Sequence, residues 1–196
     1  MNKPLENIVV DWVPDNAKVI DFGCGNGSLL KALTNKKSIT GYGVENDPLK
    51  IQDCIESGIS VIQQDIDAGI QGYKNMGFDM AIMASSIQCL RRPKDALQNI
   101  LEVASQCVIT LPNFGNWKLR TGLLKGKMPS SSRLPAKWYE TKNLHLCTIS
   151  DFEELCQSEK FNIQKRVYLD NKGNSSWFAN SFPNLFAAEA VYLIGK

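Results

Sequence analysis

Residues 17–36, AKVIDFGCGNGSLLKALTNK, change character within a few positions. A short apolar, β-branched run ends at Asp21, glycines follow at 23, 25 and 27, and Leu29, Leu30 and Leu33 then take up helical spacing. A strand that turns through glycines directly into a helix is the layout of a nucleotide-binding turn. The glycines let backbone approach a ligand closely, and the helix N-terminus offers free N–H groups. The spacing is G-x-G-x-G, with Ser28 standing where the third glycine of a dinucleotide fold would be. Asp21, just before the first glycine, would repel a diphosphate.

The rest of the chain repeats the alternation. Strand-like runs recur at ITGYGVE (39–45), SVIQQD (60–65), FDMAIMA (78–84) and QCVITLP (106–112). Helical patterns fall between them at LKIQDCIES (49–57), which Asp47 and Pro48 open, and at PKDALQNILEVAS (93–105). Strands alternating with helices imply right-handed βαβ units and a mostly parallel sheet covered on both faces. Further on, Ser150 and Glu153 read as a capping box opening DFEELCQS. Two looser strands follow, FNIQKRVYLD (161–170) and NLFAAEAVYLIGK (184–196), joined by a polar, glycine-bearing loop expected to be mobile and hairpin-like. The expected fold is an α/β three-layer sandwich around a mostly parallel seven-stranded sheet with the last strand antiparallel.

At 196 residues and 43% hydrophobic content, the chain has material for one substantial core, so a single domain over 1–196 is expected. A net charge of +2 argues for neither nucleic acid nor membrane. Six scattered cysteines without a C-x-x-C pair read as reduced thiols of a cytoplasmic protein. His145, Cys147 and Cys156 lack the tight pairing of a metal set, so no metal is expected. The N-terminus carries Lys3, Glu6 and Asp11 where a signal peptide would be apolar, and no apolar run has membrane-spanning length.

Two further acids end strands. Glu45 lies about twenty residues past the central glycine, where a carboxylate can accept both ribose hydroxyls, and Asp65 ends the third strand within reach of an adenine amino group. DFGCGNG, GVE, QQD and FDMAIMASSIQCL, in that order, resemble the class I methyltransferases that bind S-adenosylmethionine. The resemblance implies that Asp21, Gly23, Cys24, Gly25, Asn26 and Gly27 hold the methionine moiety, that Glu45 beside Asn46 holds the ribose, and that Asp65 holds the adenine with Ile66 on its face. Such a ligand carries a carboxylate and a sulfonium but no phosphate, which suits a glycine turn flanked by acids.

The likeness extends further. VIQQDID, LPNFGNWKLR and KGKMPSSSRLPAKWYETKNLHLCTISDFEEL together resemble the MetW family of methionine biosynthesis along nearly the whole chain. That resemblance implies a role as partner or activator of homoserine O-acyltransferase. The chain departs from the family pattern at Asn26, where aspartate is common, at Asn116, where histidine is common, and at Lys142, where proline is common. Asn116 removes a candidate general base.

Methyl transfer needs positioning more than a triad, because the sulfonium is already activated. Candidates over a methyl group lie after the fifth strand: Asn113, Tyr139, Glu140 and His145, the only histidine. Asn113 also reads as a turn cap and His145 as structural. Residues 113–149 form a basic aromatic insertion. Lys118, Arg120, Lys125, Lys127, Arg133, Lys137 and Lys142 face one acid, Glu140, so that 113–145 carry +6 and the remainder −4. With Trp117, Trp138 and Tyr139 interleaved, the segment suits a protein interface through Trp117, Arg120 and Trp138, an anionic substrate, or single-stranded nucleic acid. Three functions therefore remain open: an acyltransferase partner that binds S-adenosylmethionine, a small-molecule methyltransferase, and an RNA methyltransferase or RNA-binding module.

Overall fold

A computed structural model describes residues 3–131 and 134–196; Arg133, counted among the basic segment's cations, lies outside the described residues. The elements in chain order are α1 (Lys3–Trp12), β1 (Lys18–Phe22), α2 (Ser28–Lys37), β2 (Thr40–Glu45), α3 (Pro48–Glu56), β3 (Ser60–Gln63), β4 (Met80–Ala84), α4 (Pro93–Val103), β5 (Gln106–Pro112), α5 (Trp117–Leu124), α6 (Ile149–Ser158), β6 (Asn162–Leu169), α7 (Trp177–Ser181), α8 (Pro183–Phe186) and β7 (Glu189–Gly195). The strands form one sheet in the order β3-β2-β1-β4-β5-β7-β6. All pairs from β3 to β5 are parallel, and β7 runs antiparallel to both β5 and β6. This is the expected α/β sandwich.

Alternation along the central strands divides the core into two layers. On one face Ile20 and Phe22 of β1, Ala81 and Met83 of β4, Ile109 and Leu111 of β5 and Tyr192 and Ile194 of β7 meet α4 and α6. On the other, Val19, Met80, Ile82, Val108 and Leu193 meet Leu30 and Leu33 of α2 and Leu5 and Val9 of α1. Every residue of β7 is buried, because the strand has a neighbour on each side and helices above and below. The N-terminal helix α1 is an element the sequence reading did not assign. It covers the sheet with an i, i+4 pair, Leu5 and Val9, while polar residues face water.

Two details differ from expectation. The capping box of α6 lies two residues earlier than Ser150 and Glu153. Thr148 is the N-cap, its Oγ1 accepting from Asp151 N (3.2 Å), while Asp151 Oδ2 accepts from Thr148 N (2.8 Å). Glu153 instead faces the sheet, accepting from the Tyr168 hydroxyl and from the Tyr192 hydroxyl (2.9 Å) and pairing with Arg166 (3.5 Å). The hydroxyls of the two buried tyrosines outweigh a terminal backbone N–H as a use for its carboxylate. The connection from β6 to β7, expected as a mobile loop, contains α7 and α8, with Ser176 capping the first and Pro183 opening the second.

Chain order reverses between β1 and β4: β2 and β3 build outward on one side, β4 and β5 on the other. The crevice at the C-terminal ends of these two strands is where open α/β sheets accept ligands.

Candidate functional site

A cavity of about 660 Å³ opens at that reversal, within the size range of small-molecule sites. Its floor is the turn after β1. Gly23 has φ +82°, and a Cβ there would lie 2.8 Å from the Ser86 Cβ, so no other residue fits against the turn after β4. At Gly25, φ +58°, a Cβ would meet nothing within 4 Å; the backbone there faces open cavity. Gly27 is the N-cap of α2 and supplies no side-chain cap, while the Asn26 Oδ1 accepts from Ser28 N (3.3 Å). The Cys24 and Cys54 sulfurs lie 3.9 Å apart beneath the turn, and the Cys54 thiol donates to the Gly25 carbonyl (3.2 Å). Burial pushes both thiols up in pKa, which leaves them protonated packing groups.

Glu45, at the end of β2, is held in place by backbone. Its Oε2 accepts from Gly25 N (2.9 Å), and its Oε1 accepts from Asn46 N (2.9 Å) and Asp47 N (3.1 Å). The carboxylate thus ties the glycine turn to the start of α3 while lining the cavity with free lone pairs. Asp65 is exposed at the rim, its Oδ1 accepting from Asp67 N (3.0 Å), and Ile66 presents a half-buried apolar face beside it. Asn46 lies at the rim and is exposed.

Asp21 is the unusual group. It is 1% exposed, lines the cavity, and its Oδ1 has no hydrogen-bond partner. Burial first, and the negative charge of Glu45 second, push its carboxyl up to about 7. Five carboxylates line the cavity, Asp21, Glu45, Asp47, Asp65 and Asp67, against two cations, Lys50 and Lys142. A cationic ligand fits this donor set and a phosphate does not.

Of the site residues expected from sequence, Asp21, Gly23, Cys24, Gly25, Asn26, Glu45, Asn46, Asp65 and Ile66 share this cavity, and Gly27 supports it from behind. Asn113, Tyr139 and His145 are placed elsewhere. Asn113 is 1% exposed, and its amide is spent on the carbonyl oxygens of Pro183, Asn184 and Ala187 and on Gly115 N and Ile149 N. Tyr139 is 60% exposed, stacked edge-on against Trp138 with the Lys137 ammonium over its ring. His145 is exposed, its Nε2 3.3 Å from the Arg91 carbonyl oxygen. None of the three lines the cavity.

Lining residues that the motifs did not single out include Ser85 and Ser86 after β4, Cys89, and Lys142. The Ser86 hydroxyl donates to the Phe22 carbonyl (2.8 Å), locking the two turns together. Residues 142–145 run along the turn after β4. The Cys89 thiol donates to Asn143 Oδ1 (3.3 Å), and Leu144 N and His145 N both donate to the Gln88 carbonyl (2.8 and 3.0 Å). This brings Lys142 to the cavity rim, 3.7 Å from Asp47. In sequence Lys142 is one cation of the basic segment and a departure from the family's proline, and nothing short-range links it to Asp47.

Among the described residues, no three His, Cys, Asp or Glu side chains gather as a metal site, and no helix is long and apolar enough to cross a membrane.

The fold is that of the class I S-adenosylmethionine-dependent methyltransferases. A SAM-dependent methyltransferase from Archaeoglobus fulgidus superposes with a TM-score of 0.70 at 14% identity, covering 97% of this chain and 90% of that one. The complex between the Haloferax volcanii Trm112 methyltransferase activator and a putative methyltransferase contains a chain that also superposes at 0.70, with 12% identity, covering 98% of this chain and 88% of that one. Residues 4–194 match the family of the methionine biosynthesis protein MetW, and the chain belongs to that family. A bifunctional methionine biosynthesis protein MetXA/MetW of Rhodopirellula baltica is 27% identical over 196 residues, which cover 95% of this chain and 32% of that protein. The chain therefore spans about a third of the length of this curated relative.

Proposed function

We propose that this protein binds S-adenosylmethionine in the cavity at the β1–β4 reversal and acts, in the cytoplasm, as the partner subunit of homoserine O-acyltransferase. The observation that carries the first half is the buried, unpartnered Asp21 carboxylate at the floor of an acid-rich cavity. A buried acceptor without a partner is costly, and a ligand with an ammonium and a sulfonium relieves it. In this reading the glycine turn and Asp21 hold the methionine moiety, Glu45 the ribose hydroxyls, and Asp65 with Ile66 the adenine. When bound, the ligand offers an activated methyl group. The chain's own residues bind and orient it. Asn113, Tyr139, Glu140 and His145, the candidates named on sequence grounds, do not line the cavity, which favours the partner reading over methyl transfer to a small molecule. The fusion of MetXA and MetW units in the Rhodopirellula relative supports the second half, since units that work together are often found in one chain. Residues 113–149 are then an insertion on a single methyltransferase-like domain, used for contact.

Calorimetry with S-adenosylmethionine and S-adenosylhomocysteine tests the first half. Glu45→Ala is expected to weaken binding at least about tenfold, because it removes the ribose acceptor and frees the glycine turn. No binding by the unaltered protein would overturn it. Co-purification with homoserine O-acyltransferase tests the second half, and transfer of labelled methyl to an acceptor in cell extract would favour the enzyme reading.

A further inference from the structure

Asn113 and Asn116 do not line the cavity, yet the amide N–H groups of both side chains donate to one short segment, residues 183–187. The Asn113 amide donates to the carbonyl oxygens of Pro183, Asn184 and Ala187, and the Asn116 amide donates to those of Phe186 and Ala187 (3.3 and 3.0 Å). Gly115 is packed so closely there that a Cβ would lie 2.9 Å from the Asn184 carbonyl oxygen. The loop after β5 is therefore a clamp on α8, against which α7 packs.

What the clamp holds is an aromatic cluster turned outward. Trp177, Phe178 and Phe182 are 69%, 57% and 57% exposed, and they stack through Phe186: Trp177 on Phe178 at 5.0 Å, Phe178 on Phe186 at 5.6 Å and Phe182 on Phe186 at 6.4 Å between centroids. Three large aromatics in water within six residues cost solubility without adding to the core, and rigid exposed aromatics are the usual anchors of protein interfaces. Asn116 is also the N-cap of α5, so the half-exposed Trp117 and the Lys118 ammonium over its ring start from the same clamp. Residues 113–131 and 171–188 together carry Lys118, Arg120, Lys125, Lys127 and Lys172 and no carboxylate.

We infer that α7 and α8, with the first turn of α5, form the docking face for the acyltransferase subunit, which presents an apolar patch rimmed by acidic residues. This rests on the partner role proposed above. Trp177 and Phe182 are the anchors, the cations steer and orient, and Asn113 and Asn116 are positioning residues that keep the aromatics in place before contact. The basic segment alone does not explain the interface, because its Arg120 is partly committed within the chain, its Nε donating to the Gly115 carbonyl.

The test is titration of the purified homoserine O-acyltransferase of the same organism into the full-length protein, with Trp177→Ser combined with Phe182→Ser as the main variant. Both side chains are exposed, so the fold and the binding of S-adenosylhomocysteine are expected to persist. The complex is expected to weaken at least 30-fold, while Ile55→Ser, an exposed apolar residue on α3, leaves it unchanged. Lys118→Glu with Lys172→Glu, which leaves every aromatic side chain in place while removing the Lys118 ammonium from the Trp117 ring, is expected to weaken it several-fold and to remove most of its salt dependence. Equal affinity of unaltered protein and both variants would overturn the docking face while leaving the partner role standing. No complex with the unaltered protein would overturn the partner role, and this face with it. A self-association lost in the Trp177 and Phe182 variant, or a single-stranded RNA complex lost there, with acyltransferase binding intact, would assign the face to another occupant and overturn the inference.

Discussion

Asp21 trades stability against binding. With its carboxyl pushed up to about 7 from an ordinary value of 3.8, the folded protein holds a proton that the unfolded chain releases. Stability without ligand therefore falls as pH rises from about 4 to about 7 and levels off above that, by an amount on the order of 4 kcal/mol at pH 8. Asp21→Asn is expected to raise the melting temperature of the ligand-free protein at pH 8 and to have little effect near pH 4, which differential scanning calorimetry at the two pH values checks. The same substitution should weaken binding of S-adenosylmethionine, because an amide cannot balance a cation. In the unaltered protein, affinity for the cationic ligand should rise as pH is raised through about 7, since a cation favours the ionised carboxylate; flat affinity between pH 6 and 8 would remove Asp21 from the contact. The sequence marks Asp21 as a site residue by its place before the glycines. Its burial and missing partner come from the packing of β1 between β2 and β4, which no local pattern encodes.

At the scale of elements, the helix ends and the clamp after β5 carry the testable content. Thr148→Ala removes the N-cap of α6 and is expected to cost about 1 kcal/mol, whereas Ser150→Ala should change stability by less than about 0.5 kcal/mol. Urea melts of the two variants separate the observed register from the S-x-x-E register read in the sequence. Asn113→Ala leaves buried backbone groups of Gly115, Ile149 and the α8 segment without partners, and a loss of about 2–4 kcal/mol is expected. Its cofactor affinity should be unchanged, which distinguishes a structural asparagine from one acting on a ligand. The helices α2, α3 and α4 were legible because each shows apolar spacing after a cap, a proline or a glycine turn. Helix α1 was not, since its apolar stripe is short and its stability comes from the sheet it covers.

For the whole molecule, the proposed ligand would couple to the fold through the β1–β4 reversal. A ligand that bridges the turn after β1, the end of β2 and the rim near β3 joins three segments otherwise linked by the sheet. At about 100 times its Kd, S-adenosylhomocysteine should stabilise the protein by about 2.7 kcal/mol, readable as a rise of several degrees in melting temperature, and by no more than about 1.4 kcal/mol in Glu45→Ala at the same concentration. The sequence by itself determined the alternation of strands and helices, the glycine turn and the order of the acids at strand ends, because each depends on residues within one or two turns of one another. Only the tertiary structure decided that Lys142 reaches Asp47, that Glu153 serves two tyrosines of the sheet, and that the asparagines of PNFGNWKLR grip α8 instead of overhanging the cavity. Those contacts join groups about 15 to 95 residues apart, and an amide or an ammonium meets whichever partner the topology brings within hydrogen-bond reach.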